Sequence, residues 1–233
     1  MSYGINDAKA LIARVSDIIE AHKDELNELD GRSGDGDLGM SVALGLAATK
    51  ASAEAFEGDD MGKMLAMAAM ACNREAPSTM GTLVSSGIMA VGKAFKGKTE
   101  VEEADVVAIP RTFADAIAAR GGAKLGDKTI LDALYPMADV LEERVAAGDE
   151  LGVAMGAAAA KAREAAEATS GIQASVGRAK WLGERAAANP DGGAILCAVV
   201  AEGLAWWPLR PSRASSTPRS WGLIASPACA GSI

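Results

Sequence analysis

Three aspartates fall close together in a glycine-rich stretch near the start of the chain. Asp30, Asp35 and Asp37 lie within residues 29–39, together with four glycines. Carboxylates at this spacing repel one another unless a cation or hydrogen-bond donors lie among them. Carboxylate oxygens suit hard cations such as Mg²⁺, which takes its remaining ligands from water and phosphate groups. The stretch therefore predicts a site for a metal ion and a phosphate.

Helix capping is an alternative explanation of the same stretch, since a loop rich in Gly and Asp can end one helix and begin the next. A calcium-binding loop is a poor fit, because a loop that starts at Asp35 has Leu46 at its twelfth position, where an acid is needed. The G-x-x-x-x-G-K-[ST] pattern of a Walker loop does not occur. Capping and metal binding both stay open on these residues alone.

Three further stretches carry residues suited to a phosphate or a nucleotide. Residues 76–83 place small polar residues before an apolar helix, where backbone N–H groups can meet an anion. Residues 120–129 are rich in Gly and carry two Lys and one Arg, so they can meet phosphate. Residues 189–193 precede another apolar helix. In an up-and-down bundle, alternate loops share one end, so these stretches can converge with the Asp loop.

Covalent and redox mechanisms have little support in this sequence. His22 is the single histidine, and it lies inside the first helical pattern, so a phosphohistidine or Ser-His-Asp mechanism has almost nothing to use. Cys72, Cys197 and Cys229 form no C-x-x-C pair, which leaves zinc and redox motifs unsupported. Scattered cysteines of this kind are typical of reduced thiols in a cytoplasmic protein.

The elements that must position these loops are helices. The chain of 233 residues is 49% hydrophobic but only 4% aromatic, which favours close-packed helices over sheets. No β-type alternation of useful length is present. Apolar spacing predicts about eight helices joined by short loops, over residues 6–27, 39–56, 60–74, 83–95, 105–119, 129–147, 150–169 and 194–206.

One helical domain over residues 1–207 and an irregular tail over residues 208–233 are predicted. The tail holds four of the eight Pro and no acid, and Trp206, Trp207 and Trp221 are predicted to pack back on the helices. The net charge of −8 argues against nucleic acid as a partner. No signal peptide and no long uncharged apolar run is evident, so no membrane span is predicted.

Four motifs, taken in order, resemble the nucleotide-binding L subunit of dihydroxyacetone kinases, the DhaL or Dak2 domain. The resemblance covers residues 29–194, and the tail lies outside it. The motifs are Leu29-Asp30 with Gly34-Asp35-Gly36-Asp37-x-Gly39, then Gly126-Asp127-Lys128-Thr129 with Leu131-Asp132-Ala133-Leu134, then Gly177-Arg178-Ala179-x-x-Leu182-Gly183-Glu184-Arg185, and finally Asp191-x-Gly193-Ala194.

The resemblance implies an all-α barrel of eight antiparallel helices, with ADP or ATP at one rim held through two Mg²⁺ ions. Asp30, Asp35 and Asp37 would be the metal ligands rather than general bases, and Arg178 would add a fixed cation to the catalytic set. The residues implied to border the nucleotide are Leu38, Gly39, Met40, Ser41, Thr79, Met80, Gly81, Gly121, Thr129, Ile130, Arg178, Asp191, Gly192 and Gly193.

The resemblance further implies a cytoplasmic kinase of glycerol metabolism that needs a partner. In this family the L subunit holds the nucleotide, and a separate K subunit holds dihydroxyacetone. The chain is too short for both, so it is predicted to act as one half of a two-component kinase for dihydroxyacetone or a related small ketose. The phosphate donor is ATP or a phosphotransferase-system phosphoprotein that rephosphorylates bound ADP. A homodimer is compatible with this scheme.

Two departures from the family pattern favour an alternative function. Leu38 stands where the family often has His, and Met80-Gly81-Thr82-Leu83 replaces a Ser-Gly-Pro-Leu sequence. Both lie near the implied nucleotide. They are compatible with another sugar substrate or another partner. Leu38 and the unusual tail also motivate the alternative of a regulatory protein that kept the fold without catalysis. A plain helical bundle with a capping loop explains one motif and not four.

Overall fold

The computed structural model describes residues 1–177, 180 and 187–205. Arg178, the predicted cation, lies outside these residues, as do the predicted packing of Trp206, Trp207 and Trp221 and the tail over residues 208–233.

Eight helices form a closed ring in the described part of the chain. Each packs against the next, and the last packs against the first, so the predicted all-α barrel is confirmed. A ninth, short helix and two three-residue strands lie at one end. The elements are β1 (Ser2–Gly4), α1 (Ile5–Ser33), α2 (Leu38–Glu54), α3 (Met61–Glu75), α4 (Thr79–Ala94), β2 (Glu100–Glu102), α5 (Glu103–Val107), α6 (Ile109–Gly121), α7 (Leu131–Ala146), α8 (Leu151–Glu167) and α9 (Gly192–Ala205). Among the helices of the described residues, α5 lies outside the ring.

The end of the barrel away from the motifs is closed by a small antiparallel sheet. Tyr3 of β1 lies opposite Val101 of β2, and both side chains are buried in a cluster with Phe56 and Phe95. The sequence predicts a polar turn over residues 97–103, which is wrong for β2. A strand of three residues is too short for alternation to reveal it, and its partner lies about a hundred residues away along the chain.

Two helix ends near the motifs also differ from the sequence prediction. Helix α1 continues to Ser33, so Asp30 is helical rather than part of a loop. Leu26 is fully buried and Leu29 packs on the same core, and this packing outweighs the low helix propensity of Asp and Gly. Helix α4 begins at Thr79 rather than at residue 83, because the Ser78 hydroxyl accepts the Gly81 N–H at 3.0 Å.

Because neighbouring helices of the barrel run in opposite directions, four helix junctions lie at one rim. Helices α1, α3, α6 and α8 end there, and α2, α4, α7 and α9 begin there. These junctions carry the Asp-rich stretch and the three other stretches singled out by the sequence. None of the helices in the described residues combines the length and the apolar character that a membrane span needs.

Candidate metal and nucleotide site

The Asp cluster lies where α1 ends and α2 begins. Asp30 is in the last turn of α1, Asp35 is in the connecting loop, and Asp37 is the residue that precedes α2. One carboxylate oxygen from each lies within 4.8 Å of the others. Asp35 and Asp37 are exposed and Asp30 is half-buried. The structure thus brings together the three residues that the sequence predicts as metal ligands.

Asp30 holds the loop in shape in addition to supplying a carboxylate oxygen to the Asp cluster. Its Oδ2 accepts the N–H of Gly36 at 2.8 Å and the N–H of Asp37 at 3.2 Å. Gly36 has a φ of 78°, which favours glycine. A Cβ on Gly34 would lie 2.5 Å from Asp30 Oδ1, so a larger residue here would displace the Asp30 carboxylate. The loop is therefore wrapped closely around one carboxylate.

The donor set fits a hard divalent cation. Mg²⁺ binds oxygen at about 2.1 Å in octahedral geometry, which places ligand oxygens about 3 to 4 Å apart. The three carboxylates already approach that spacing, and their exposed side leaves room for water and phosphate oxygens. Asp30, Asp35 and Asp37 are the residues that would hold such an ion.

The starts of α2 and α4 are joined directly. Ser41 Oγ donates to Ser78 Oγ at 2.5 Å. Ser78 accepts the N–H of Gly81, and Asn27 Oδ1 accepts the N–H of Met40 at 3.0 Å. The N–H groups of Gly81 and Met40, in the first turns of α4 and α2, are thus hydrogen-bonded within the protein. No sequence pattern singles out Asn27, since a polar side chain inside a long helix is usually solvated.

The other two junctions meet this pair through small residues of α9. A Cβ placed on Gly192 would lie 2.8 Å from Leu38 Cδ2. A Cβ on Gly193 would lie 2.9 Å from Met80 Cε and 3.2 Å from Ile130 Cβ. The structure therefore brings the four junctions together at one rim. Contact of these residues with a nucleotide remains a prediction.

Leu38 has a packing role at this rim. Its side chain is 7% exposed and belongs to the main core, against Gly192. An imidazole at this position would place a polar group in the same contact. Position 38 thus carries no ionisable group, and its side chain instead makes an apolar contact between α2 and α9.

The predicted pocket residues differ in accessibility. Gly39 and Gly81 are buried, whereas Thr79 and Gly121 are exposed at the rim. Thr129 lies at the start of α7, where its Oγ1 accepts the N–H of Leu131 at 3.2 Å.

The two lysines of the loop between α6 and α7 both contact other groups of the protein. Lys124 Nζ pairs with Asp127 Oδ1 at 2.9 Å, and Lys128 Nζ donates to Asn189 O at 2.7 Å. Lys128 is only 2% exposed. Both ammonium groups therefore have protein partners, and the prediction that this loop meets phosphate gains no support from Lys128.

Two carboxylates hold this loop in shape. Asp132 accepts the N–H groups of Gly126 at 2.5 Å and Thr129 at 2.6 Å. Asp127 accepts from Ser175 Oγ at 2.6 Å and from the Lys124 N–H at 2.8 Å. The Ser175 hydrogen bond, with those from Lys124, lowers the pKa of Asp127 to about 2. Sequence spacing could not reveal the contact between Asp127 and Ser175, because the two residues are distant in the chain.

Asp191 caps α9 from inside the protein. Its Oδ2 accepts the N–H of Ala194 at 2.8 Å, and its own N–H donates to Thr169 Oγ1 at 2.8 Å. Burial raises the pKa of the Asp191 carboxyl to about 6. The hydrogen bond from the Ala194 N–H and the charge of Lys128 partly oppose this shift. The Asp191 side chain is thus engaged in capping α9.

Asp191 is expected to make the barrel less stable as pH rises from about 4 to about 6. The Asp191 carboxyl binds its proton more tightly in the folded state than in the unfolded state, so the protonated carboxyl stabilises the fold. This stabilisation is fully present below the unfolded-state pKa and is lost as pH rises from about 4 to about 6. The Asp191→Asn variant keeps a capping oxygen and has no proton to lose. Between pH 4 and pH 7, wild type should lose about 2 kcal/mol relative to this variant in urea unfolding. Parallel pH profiles would contradict the assignment.

The helical barrel with an Asp cluster at one rim agrees with a match to a known protein family. A family model described as the DAK2 domain matches residues 32–206. The chain belongs to the DAK2 domain family.

Its relatives include kinases of small ketoses. It is 36% identical over 200 residues to the D-erythrulose kinase of Mycolicibacterium smegmatis, covering 85% of this chain and 34% of that protein. It is 28% identical to the ADP-binding subunit DhaL of the PEP-dependent dihydroxyacetone kinase of Escherichia coli, covering 78% of this chain and 87% of that subunit. The chain thus spans about a third of the length of the D-erythrulose kinase.

The fold matches a solved kinase. The dihydroxyacetone kinase of C. freundii superposes with a TM-score of 0.65 at 24% identity, covering 84% of this chain and 33% of that one. A second structure of that kinase, in complex with AMP-PNP and Mg²⁺, gives the same TM-score at 23% identity. At this identity the likeness shows a shared fold.

Proposed function

We propose that this chain is the nucleotide-binding, phosphate-transferring component of a kinase that acts on dihydroxyacetone or a related small ketose such as erythrulose. The observation that carries the proposal is the Asp30, Asp35 and Asp37 cluster, with its carboxylate oxygens within 4.8 Å of one another at a rim where four helix junctions meet. Membership of the DAK2 family and the kinase names of its relatives support the same conclusion.

The three Asp act as ligands in this proposal. Asp30, Asp35 and Asp37 would hold Mg²⁺, of which two ions are expected, and the metal would offset the negative charge of the ADP or ATP phosphates. Asp30 keeps the ligand loop in shape through the N–H groups of Gly36 and Asp37. The starts of α2 and α4 face the same rim, and a helix N-terminus favours an anion. Residues around Gly121, Thr129 and Gly193 are proposed to border the nucleoside.

Phosphate would pass to a hydroxyl group of a sugar held elsewhere. We place that sugar on a K-type domain, either on a partner subunit or on a longer polypeptide. The chain covers 87% of the E. coli ADP-binding subunit and 34% of the D-erythrulose kinase, so relatives of both arrangements exist. The donor is ATP or a phosphotransferase-system phosphoprotein that recharges bound ADP.

Nucleotide binding tests the proposal directly. We expect calorimetry to show ADP and ATP binding with Mg²⁺ and little binding in EDTA. The Asp35→Asn variant should lose about tenfold or more in affinity, because it removes one charged ligand. Asp59→Asn is the matched control, since Asp59 is exposed and lies beyond the far end of α2; it should bind as wild type does. Binding that ignores both EDTA and Asp35→Asn would reject the metal site.

Phosphate transfer separates the kinase from the regulatory alternative. Wild type, a K-type sugar-binding protein, ATP and either dihydroxyacetone or erythrulose should yield a sugar phosphate. Nucleotide binding with no transfer to any K-type partner, with either donor supplied, would favour a regulatory protein that kept the fold.

A further inference from the structure

Lys128 adopts an unusual backbone conformation. Its φ is 62°, the single left-handed value for a residue other than Gly in the described part of the chain. This conformation costs a residue with a Cβ about 1 kcal/mol. A conformation of this cost persists when the surrounding structure holds it in place. The surrounding structure therefore holds Lys128 in this conformation in the loop between α6 and α7.

The Lys128 side chain crosses to a different segment of the protein. It is 2% exposed, and its Nζ donates to Asn189 O at 2.7 Å and to Ala187 O at 3.3 Å. A buried ammonium group is costly unless its hydrogen bonds are satisfied. Burial lowers its pKa, and the nearby Asp191 carboxylate opposes that shift. The two carbonyl groups and this carboxylate compensate the charge.

The segment that Lys128 holds leads directly into the rim. Ala187 O also accepts the N–H of Gly171 at 2.7 Å. Asp191, two residues after Asn189, is fixed to Thr169 and caps α9. The segment over residues 187–191 is thus held by the end of α8 on one side and by Lys128 on the other. Gly192 and Gly193 follow at once and contact Leu38, Met80 and Ile130.

We propose that Lys128 is a positioning residue that fixes the 187–191 segment, and through it the Gly192-Gly193 edge of the nucleotide rim. The proposal rests on the proposed function, because it assigns Lys128 to the nucleotide site of that function. Lys128 acts through the backbone of another segment and does not touch the phosphate itself.

The test compares Lys128→Met with wild type. Met keeps the length of the side chain and removes its charge. Affinity for Mg–ADP should fall about tenfold to a hundredfold, the effect of losing a charged buried hydrogen-bond donor. Lys93→Met is the control, since Lys93 is exposed in the last turn of α4, at the end of the barrel opposite the rim; its affinity should equal that of wild type. Unchanged affinity in Lys128→Met would overturn the proposal.

Hydrogen exchange distinguishes positioning from general destabilisation. In Lys128→Met the amides of residues 187–194 should exchange faster, while those in the middle of α2, α3 and α4 stay as in wild type. Faster exchange throughout the barrel would overturn the proposal. If wild type itself bound no Mg–ADP, the proposed function would fail, while the exchange data would still report whether Lys128 holds this segment.

A second variant covers the case in which Lys128→Met does not fold. Lys128→Gly accepts the positive φ and removes the ammonium group. Added n-propylammonium should restore most of the lost Mg–ADP affinity, whereas sodium chloride at equal ionic strength should not. Absence of rescue, or equal rescue by sodium chloride, would overturn the specific role of the ammonium group.

Discussion

Replacing Asp30 with Ala is expected to weaken Mg-dependent ADP binding about a hundredfold, which is the largest functional effect predicted for a single residue of this chain. The variant removes a proposed metal ligand and, at the same time, the acceptor for the N–H groups of Gly36 and Asp37. Those two N–H groups set the position of Asp37, itself a proposed ligand. Loss of one carboxylate therefore disturbs a second. Calorimetry with ADP and Mg²⁺ measures the change.

Asp30→Asn separates the two roles of the carboxylate. Its remaining oxygen can still accept the loop N–H groups, so the loop should stay in place while the charge is lost. We expect an affinity between those of wild type and Asp30→Ala. Asp24→Ala, an exposed position on the same helix, is the control and should bind as wild type does. Equal affinity for wild type and Asp30→Ala would exclude Asp30 from the site.

Replacing Gly39 with Ala is expected to destabilise the fold by about 3 kcal/mol or more, an overpacking effect at the upper end of the usual range. A Cβ on Gly39 would lie 2.0 Å from Lys23 O and 3.1 Å from Asn27 Oδ1. The first of these is a backbone atom inside α1, which cannot rotate away. Helix α2 must then move off α1, and the Met40 hydrogen bond to Asn27 is lost. Urea unfolding measures the free-energy change.

Gly156→Ala is the matched control for this substitution. Gly156 lies within α8, and a Cβ there would meet no atom within 4 Å. Ala is the better helix former, so this variant should be more stable than wild type by about 0.5 to 1 kcal/mol. Similar unfolding free energies for the two variants would show that α1 and α2 can separate without cost. Because α2 carries Leu38 and Ser41, Gly39→Ala should also reduce ADP binding.

Local sequence patterns predicted the secondary structure well where helices are long and amphipathic. The eight barrel helices were all found from apolar spacing and loop composition. The errors have two causes: contacts between segments distant in the chain, and a local helix cap at Ser78. Asp30 is helical because Leu26 and Leu29 pack on the core, and Thr79 is helical because Ser78 caps it. The strand over residues 100–102 exists through its pairing with β1.

The sequence by itself determined the chemistry of the Asp loop. Three carboxylates and four glycines within eleven residues constrain one another whatever the rest of the chain does, because neighbours in the chain stay within reach of one cation. The net charge argued against nucleic acid as a partner. The single His argued against a phosphohistidine or Ser-His-Asp mechanism, and the missing Walker pattern argued against a Walker-type phosphate loop. These inferences depend only on which residues are present and on their spacing over a short stretch of the chain.

Only the tertiary structure decided what surrounds that loop. It buries Leu38 against Gly192, and it directs Lys128 toward the carbonyl group of Asn189. Burial and hydrogen bonding between segments far apart in the chain depend on the closed ring of helices, which residue spacing does not specify. Closing that ring brings a Leu, a Lys and two glycines from separate junctions to the rim that carries the Asp cluster.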